Sequence, residues 1–338
     1  MKLKAALLMV LFVSALFVLP EAQAQHQLNF EKIKTLRGYE GDVLSLAISP
    51  DGKYMAAGKS DNAIVVWDTA SWRVVATLNE DEGDVNAVAF SRDGTLLASG
   101  HSHNKVFLWD TTTWKRTTKI KASKTVNALA FNQDGSILAI ASDDDDGMLW
   151  DVKKDKPFKK LKGHNRDIKT VAYSPDGTEV ATGSNDNTVI LWDAATGEKI
   201  KTLKGHSNNV NAVAFSSDGK YLLSGSNDNS LSIWEGKTGN FIEGLTGHAN
   251  GVCTVSFLPH SHTAISGDCV FLSGPFGIPI RETDDSCKLI VWDVESAKKI
   301  KTLDSDCGLS CTVVSPDGKY FVAGYAKGGR FITVYERK

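Results

Sequence analysis

Two histidine–aspartate pairs, His164 with Asp186 and His206 with Asp228, stand at the same separation in successive stretches of the chain. An imidazole beside a carboxylate is the material of a general acid–base dyad. Asp143, Asp144, Asp145 and Asp146 form a run of carboxylates, hard oxygen donors that suit Ca²⁺ or, more simply, an Asp-rich turn. His260 and His262 stand close together, though two imidazoles alone are poor evidence for a metal. Five cysteines, Cys253, Cys269, Cys287, Cys307 and Cys311, lie in the last third of the chain, and their spacing contains no Cys-x-x-Cys that would suit zinc. There is no Gly-rich phosphate loop, no Gly-x-Ser-x-Gly and no His-Glu-x-x-His. Whether any of these groups does chemistry depends on the elements that carry them.

Those elements repeat. A Trp followed by an acidic residue recurs at Trp67-Asp68, Trp109-Asp110, Trp150-Asp151, Trp192-Asp193, Trp234-Glu235 and Trp292-Asp293, at separations of 42, 41, 42, 42 and 58 residues. A degenerate copy, Tyr335-Glu336, ends the series. The unit closing at Trp192 reads as four short strands: Ile168 to Tyr173, Glu179 to Gly183, Val189 to Trp192 and Lys199 to Leu203. Pro175-Asp176-Gly177 and Asn185-Asp186-Asn187 supply turns between them. One such sheet buries too little apolar surface to stand alone, so the unit implies a stacked array, and ring closure protects its edges.

The phrase Lys-Ile-Lys-Thr-Leu shows how the ring closes. It forms the fourth strand at Lys199 to Leu203 and at Lys299 to Leu303, yet its first copy, Lys32 to Leu36, precedes any complete unit. The last unit ends on its third strand. The N-terminal strand, about residues 30–36, therefore completes the last blade of an all-β, seven-bladed propeller with four antiparallel strands per blade.

These residues resemble the WD-repeat family of β-propellers, and the likeness covers about 90% of the chain. The family's second mark, Gly-His in the loop entering a blade, stands at Gly163-His164, Gly205-His206 and Gly247-His248. The resemblance implies a structural hydrogen-bond network joining His164, Asp186 and Trp192 in one blade and His206, Asp228 and Trp234 in the next. Thr182 or Ser184, and Ser224 or Ser226, would supply hydroxyls. Identical pairs repeated around a ring suit architecture better than catalysis. The other blades depart: Tyr39 replaces the first His, His103 holds the second Asp position, the third blade keeps Asp144 and Trp150 without Gly-His, and Ser286 stands six residues before Trp292. Each bond contributes a net ~0.5–1.5 kcal/mol, so these blades are expected to be weaker.

In this family the loops entering the blades and the second-to-third-strand turns share one face, usually the one that meets partners. The sixth unit is longer than its neighbours through an insert at about Val270 to Asp285, which carries Phe271, Leu272, Phe276, Ile278 and Ile280. Such an apolar loop marks a contact site or packs back on the ring. Rim positions Asn86, Lys169 and Asn211 belong to the same candidate partner surface. Cys269 and Cys287 flank the insert and are expected to bridge; Cys307 has Cys311 or Cys253 as candidate partners.

The chain of 338 residues carries 38 basic and 40 acidic side chains, a balance without the basic excess that nucleic acid would demand. Lys2 and Lys4, an apolar run from Ala5 to Leu19, Pro20 and Ala22-Gln23-Ala24 match a signal peptide cleaved after Ala24. The run is shorter than the roughly 20 residues of a spanning helix, so no membrane span is expected after cleavage. Residues 1–24 are thus an expected leader and 25–338 a single propeller, periplasmic or secreted, with bacterial export the better fit. The first-strand residues nearest the channel mouth, Leu44, Asn86, Asn127, Lys169, Asn211, Cys253 and Ser310, include three amides and one charge, poor material for acid–base work. The expected role is a monomeric, non-enzymatic scaffold without cofactor that holds a protein or peptide. The alternative is an enzyme or small-molecule binder using the central channel.

Overall fold

A computed structural model describes residues 28–37, 40–268, 287–305, 308–326 and 330–338. These residues form 28 strands in seven four-stranded sheets, each sheet one blade of a propeller. In blade four the strands are Ile168–Tyr173, Glu179–Ser184, Thr188–Asp193 and Lys199–Lys204, paired antiparallel in that order. Every strand end of this unit lies within one residue of the bound that its sequence pattern predicts.

Local chemistry explains the turns. At the first, Gly177 N–H donates to Ser174 O at 2.9 Å, and Asp176 accepts from the Ser174 hydroxyl at 2.7 Å and from Thr178 N–H at 3.1 Å. Gly177 has φ +73°, a left-handed conformation that costs glycine nothing and other residues more. The middle strands are buried almost throughout because neighbouring blades cover both of their faces, whereas the outer strand buries only Leu203 fully.

The core is a chain of clusters, each shared by adjacent blades. Ala139, Leu149 and Leu161 of blade three pack with Ile168, Val180, Ile190 and Trp192 of blade four. Close approach demands a small residue next to the last in most second strands. A Cβ on Gly183 would lie 2.7 Å from Val210 Cγ1 of the following blade and 2.8 Å from Thr170 Cγ2.

The ring closes as the strand count requires. Phe30–Leu36 pairs antiparallel with Ile332–Arg337, with Phe30 opposite Arg337 and Leu36 opposite Ile332. It is the outer strand of blade seven, whose inner strands are Leu309–Val314 and Tyr320–Tyr325. Phe30 also meets Phe321 edge-on at 6.1 Å. The leader 1–24, the insert with Phe271, Leu272, Phe276, Ile278 and Ile280, and Cys269 and Cys307 lie outside the described residues.

Candidate functional site

In blade four, His164 arrives on the loop entering the blade and lies over the second and third strands. Its Nδ1 is 2.9 Å from Asp186 Oδ2 and its Nε2 is 2.8 Å from Thr182 Oγ1. Thr182 Oγ1 also accepts from Trp192 Nε1 at 2.8 Å. The polarity of the chain is thereby set: Nδ1–H donates to the carboxylate, the threonine hydroxyl donates to Nε2, and the indole donates to the hydroxyl. Asp186 further accepts from Asn165 N–H, Thr188 N–H and the Thr188 hydroxyl, which ties the entering loop to the turn. Blade five repeats the set with His206, Asp228, Ser224 and Trp234 at 3.0, 2.8 and 2.8 Å.

Burial holds the His164 imidazole below its ordinary pKa, outweighing the attraction of Asp186. Burial alone would raise the Asp186 carboxyl, but its donors hold it lower instead. The pair is therefore a neutral imidazole on an ionised carboxylate. The His164 and His206 side chains are 0% and 1% exposed, and every ring nitrogen is occupied. Both rings are thus engaged on both nitrogens by contacts within their own blade.

The departing blades are less impoverished than their sequence implies. Blade two has no loop histidine, yet His101, the last residue of its second strand, turns into the same pocket. Its Nδ1 lies 3.2 Å from Gly83 O and its Nε2 3.0 Å from Ser99 Oγ, which accepts from Trp109 Nε1 at 2.9 Å. The network is rebuilt with a carbonyl in place of the carboxylate, and burial lowers the His101 pKa to about 4. In blade one the corresponding residue is Lys59, 2% exposed and 2.7 Å from Asp61. In blade seven it is the fully buried Tyr325, whose hydroxyl lies 3.1 Å from Ser305 Oγ. Blade six keeps His248 on Ser266 at 2.6 Å and Ser266 on Trp292 at 2.7 Å. There the carboxylate comes from Asp268, again the last residue of the second strand, 3.2 Å from His248 Nδ1. That contact is an electrostatic approach rather than an aligned hydrogen bond, since neither atom has a hydrogen-bond partner among the described residues. Blade three has no such substitute among the described residues: Ile140 takes the hydroxyl position, and buried Trp150 Nε1 has no partner there.

At the channel mouth, first-strand side chains bond across blade boundaries. Asn86, Asn127 and Asn211 donate through Nδ2 to Val126 O, Ile168 O and Val252 O of the next blade at 3.1, 2.9 and 3.0 Å. Ser310 does the same to Val43 O at 2.5 Å, across the closure. Lys169 instead reaches back 2.6 Å to Asp143, which also accepts from Asn127. Asn86, Lys169 and Asn211 thus act as stitches between blades, and each remains partly exposed.

The remaining candidates divide. Asp143 faces Lys169, while Asp146 lies 3.6 and 3.8 Å from Lys160 and Lys162, so the carboxylate run diverges. No group of three or more His, Cys, Asp or Glu among the described residues could hold a metal ion. On the opposite face, His262 sits between Asp218 of blade five at 2.7 Å and Glu295 at 3.3 Å, with Lys220 on Glu295 at 2.8 Å. The Asp218 bond, ahead of the smaller opposing effect of burial, raises the His262 pKa. Trp72 and Trp114 stand edge-on to Tyr320 and Tyr54 of the preceding blades at 5.7 and 5.3 Å, a packing role. Cys287 is buried, and its pairing with Cys269 falls outside the described residues.

Strand order and hydrogen-bond networks together define a closed ring of stacked four-stranded sheets, with a His–Asp pair bridging loop and turn in blades four and five. Residues 30–68, 72–110, 114–151, 155–193 and 197–235, together more than half of the chain, match the family described as WD domain, G-beta repeat. The protein belongs to the WD-repeat family of β-propellers. Each match runs from the outer strand of one blade to the third strand of the next. This one-strand offset is what leaves the first copy's outer strand to complete blade seven. A stretch of 45 residues is also 49% identical to Protein HIRA homolog of Drosophila melanogaster, covering 12% of this chain and 4% of that protein. That likeness has the length of a single repeat.

Proposed function

We propose that the protein is an exported, non-enzymatic scaffold that holds a protein or peptide on the face carrying the blade-entering loops and the blade-six insert. The observation that carries this reading is the use of polar groups at the channel mouth. Asn86, Asn127, Asn211 and Ser310 are engaged between blades, and no catalytic set converges among the described residues. The sequence departs most from the repeat between Thr263–Asp268 and Lys288–Asp293, a turn of the same face. The apolar residues Phe271, Leu272, Phe276, Ile278 and Ile280 would supply contact area, and the ring a rigid platform. Affinity capture from a periplasmic or secreted extract, with the mature protein and with a variant lacking Val270 to Asp285, tests this. Loss of a specific partner in the variant supports the proposal, and unchanged capture by a folded variant ends it.

One observation favours the channel as a small-molecule site. At its opposite mouth a cavity is lined by residues of six blades, among them Pro50, Phe90, Arg92, Phe131, Pro259 and Pro316. A compound that raises Tm in the wild type but not in Phe131→Ala would favour this second reading.

A further inference from the structure

The near-neutral net charge conceals a segregation that the fold makes visible. The seven outer strands hold sixteen Lys and Arg against three Asp and Glu. The rest of the chain therefore holds 22 basic and 37 acidic side chains. The cations are also unevenly spread around the circumference. Arg116–Lys121, Lys156–Lys162 and Lys199–Lys204, the outer strands of blades two, three and four, carry ten basic residues and no acidic one. Phe241–Thr246 of blade five has no basic residue at all.

Lysine on an exposed strand edge commonly serves to discourage pairing with other chains. That does not account for this distribution. Blade five tolerates an edge with Phe241 and Ile242 exposed and no cation, so the ring does not need ten on three successive edges. Four of these ten cations are also uncommitted within the molecule. Arg116 and Lys119 pair with Glu80 and Glu82, Lys160 and Lys162 approach Asp146, and Lys201 bonds Thr238 O and Asn240, but Lys121, Lys156, Lys199 and Lys204 form no ion pair among the described residues. Interleaved with them are exposed apolar side chains, Phe158 beside Lys159 and Ile200 beside Lys199.

We propose that the rim of blades three and four docks on an anionic lipid bilayer, independently of any partner bound on the insert face. Cations alternating with apolar groups match a headgroup layer, where charge attracts and short apolar side chains enter the interface. A soluble polyanion would have no use for Phe158 and Ile200. A round rim also meets a flat surface over only about two blades, which corresponds to Lys156–Lys162 and Lys199–Lys204.

Co-sedimentation with vesicles of phosphatidylcholine, with and without phosphatidylglycerol, provides the test. The protein is compared with two variants that lose the same charge at different places: Lys156→Gln/Lys159→Gln/Lys162→Gln, and Lys298→Gln/Lys299→Gln/Lys301→Gln in blade six. All these side chains except Lys301 are exposed, so both variants should fold, as circular dichroism and Tm will check. Binding should require phosphatidylglycerol and weaken with salt. It should fall at least about tenfold in the blade-three variant and less than about twofold in the blade-six variant. Equal binding to neutral vesicles, or equal loss in both variants, overturns the proposal. So does binding to heparin or duplex DNA without binding to anionic vesicles, which would assign the rim to a soluble polyanion.

Discussion

Blades three and four share a strand plan and a boundary, yet they solve the same packing problem differently. In blade four the pocket between loop, turn and third strand is closed by His164, Asp186, Thr182 and Trp192, with every polar atom answered. In blade three the pocket keeps its tryptophan but has Ile140 for the hydroxyl, Ala141 for the glycine and no histidine. The indole N–H is left without a bond at the cost of its desolvation, while apolar volume fills the space. A propeller blade thus tolerates either a satisfied polar network or an apolar filling. Blades one, two, six and seven lie between these, each recovering a polar group from the end of the second strand.

The largest expected effect separates the two blades directly. Asp186→Ala strands His164 Nδ1 and the Asn165 and Thr188 donors, and should lower the free energy of unfolding by about 3 kcal/mol. Asp144→Ala should cost less than about 1 kcal/mol, because that carboxylate holds no histidine. Equal costs by urea denaturation would dissolve the contrast.

A second comparison uses pH on the intermediate blade two. The buried His101 has a folded pKa of about 4 against an ordinary value of 6.5, so protonation favours the unfolded chain. Its contribution is complete above pH 6.5, declines as pH falls and levels off below about 4, a total of roughly 3 kcal/mol. His101→Asn should flatten that part of the stability profile. His262 has the opposite sign: its raised pKa adds stability at low pH that is lost as pH rises through the folded value. His262→Gln should therefore lower stability at acidic pH and leave it nearly unchanged once the pH exceeds the folded value.

Gly183→Ala should cost about 2 kcal/mol by forcing a Cβ against Val210 and Thr170. Ala141→Gly, the reciprocal change, should cost only about 0.5–1 kcal/mol through backbone entropy. The smallest effect expected is Ile140→Thr, which offers Trp150 Nε1 an acceptor. Stability should move by less than about 1 kcal/mol, since the hydroxyl gained offsets apolar volume lost, while exchange of the Trp150 indole proton should slow. An unchanged exchange rate would show that the pocket does not admit the hydroxyl.

Much of this architecture is legible in the amino-acid sequence. The blade count, the strand ends of blade four and the completion of blade seven by Phe30–Leu36 all follow from repeated phrases, because alternating apolar residues and Ser-Pro-Asp-Gly turns act locally. The His164–Asp186–Trp192 network followed from the family likeness by position. The substitutes did not. Lys59, His101, Asp268 and Tyr325 occupy a column filled by Ser184 and Ser226 in the regular blades, and in sequence they resemble scattered replacements. Likewise the bonds that Asn86 and Asn211 make to the neighbouring blade are not legible in the sequence.

The amino-acid sequence by itself determined the all-β repeat, its period and its closure, since these depend on interactions between residues near in the chain or on matching phrases. Only the tertiary structure decided which side chains share a pocket and where the charge lies. The loop residue His164 and the second-strand Thr182, eighteen positions apart, converge because the antiparallel hairpin of the first two strands brings them together. Ten cations that average out in the composition become one continuous arc because each falls on an outermost strand.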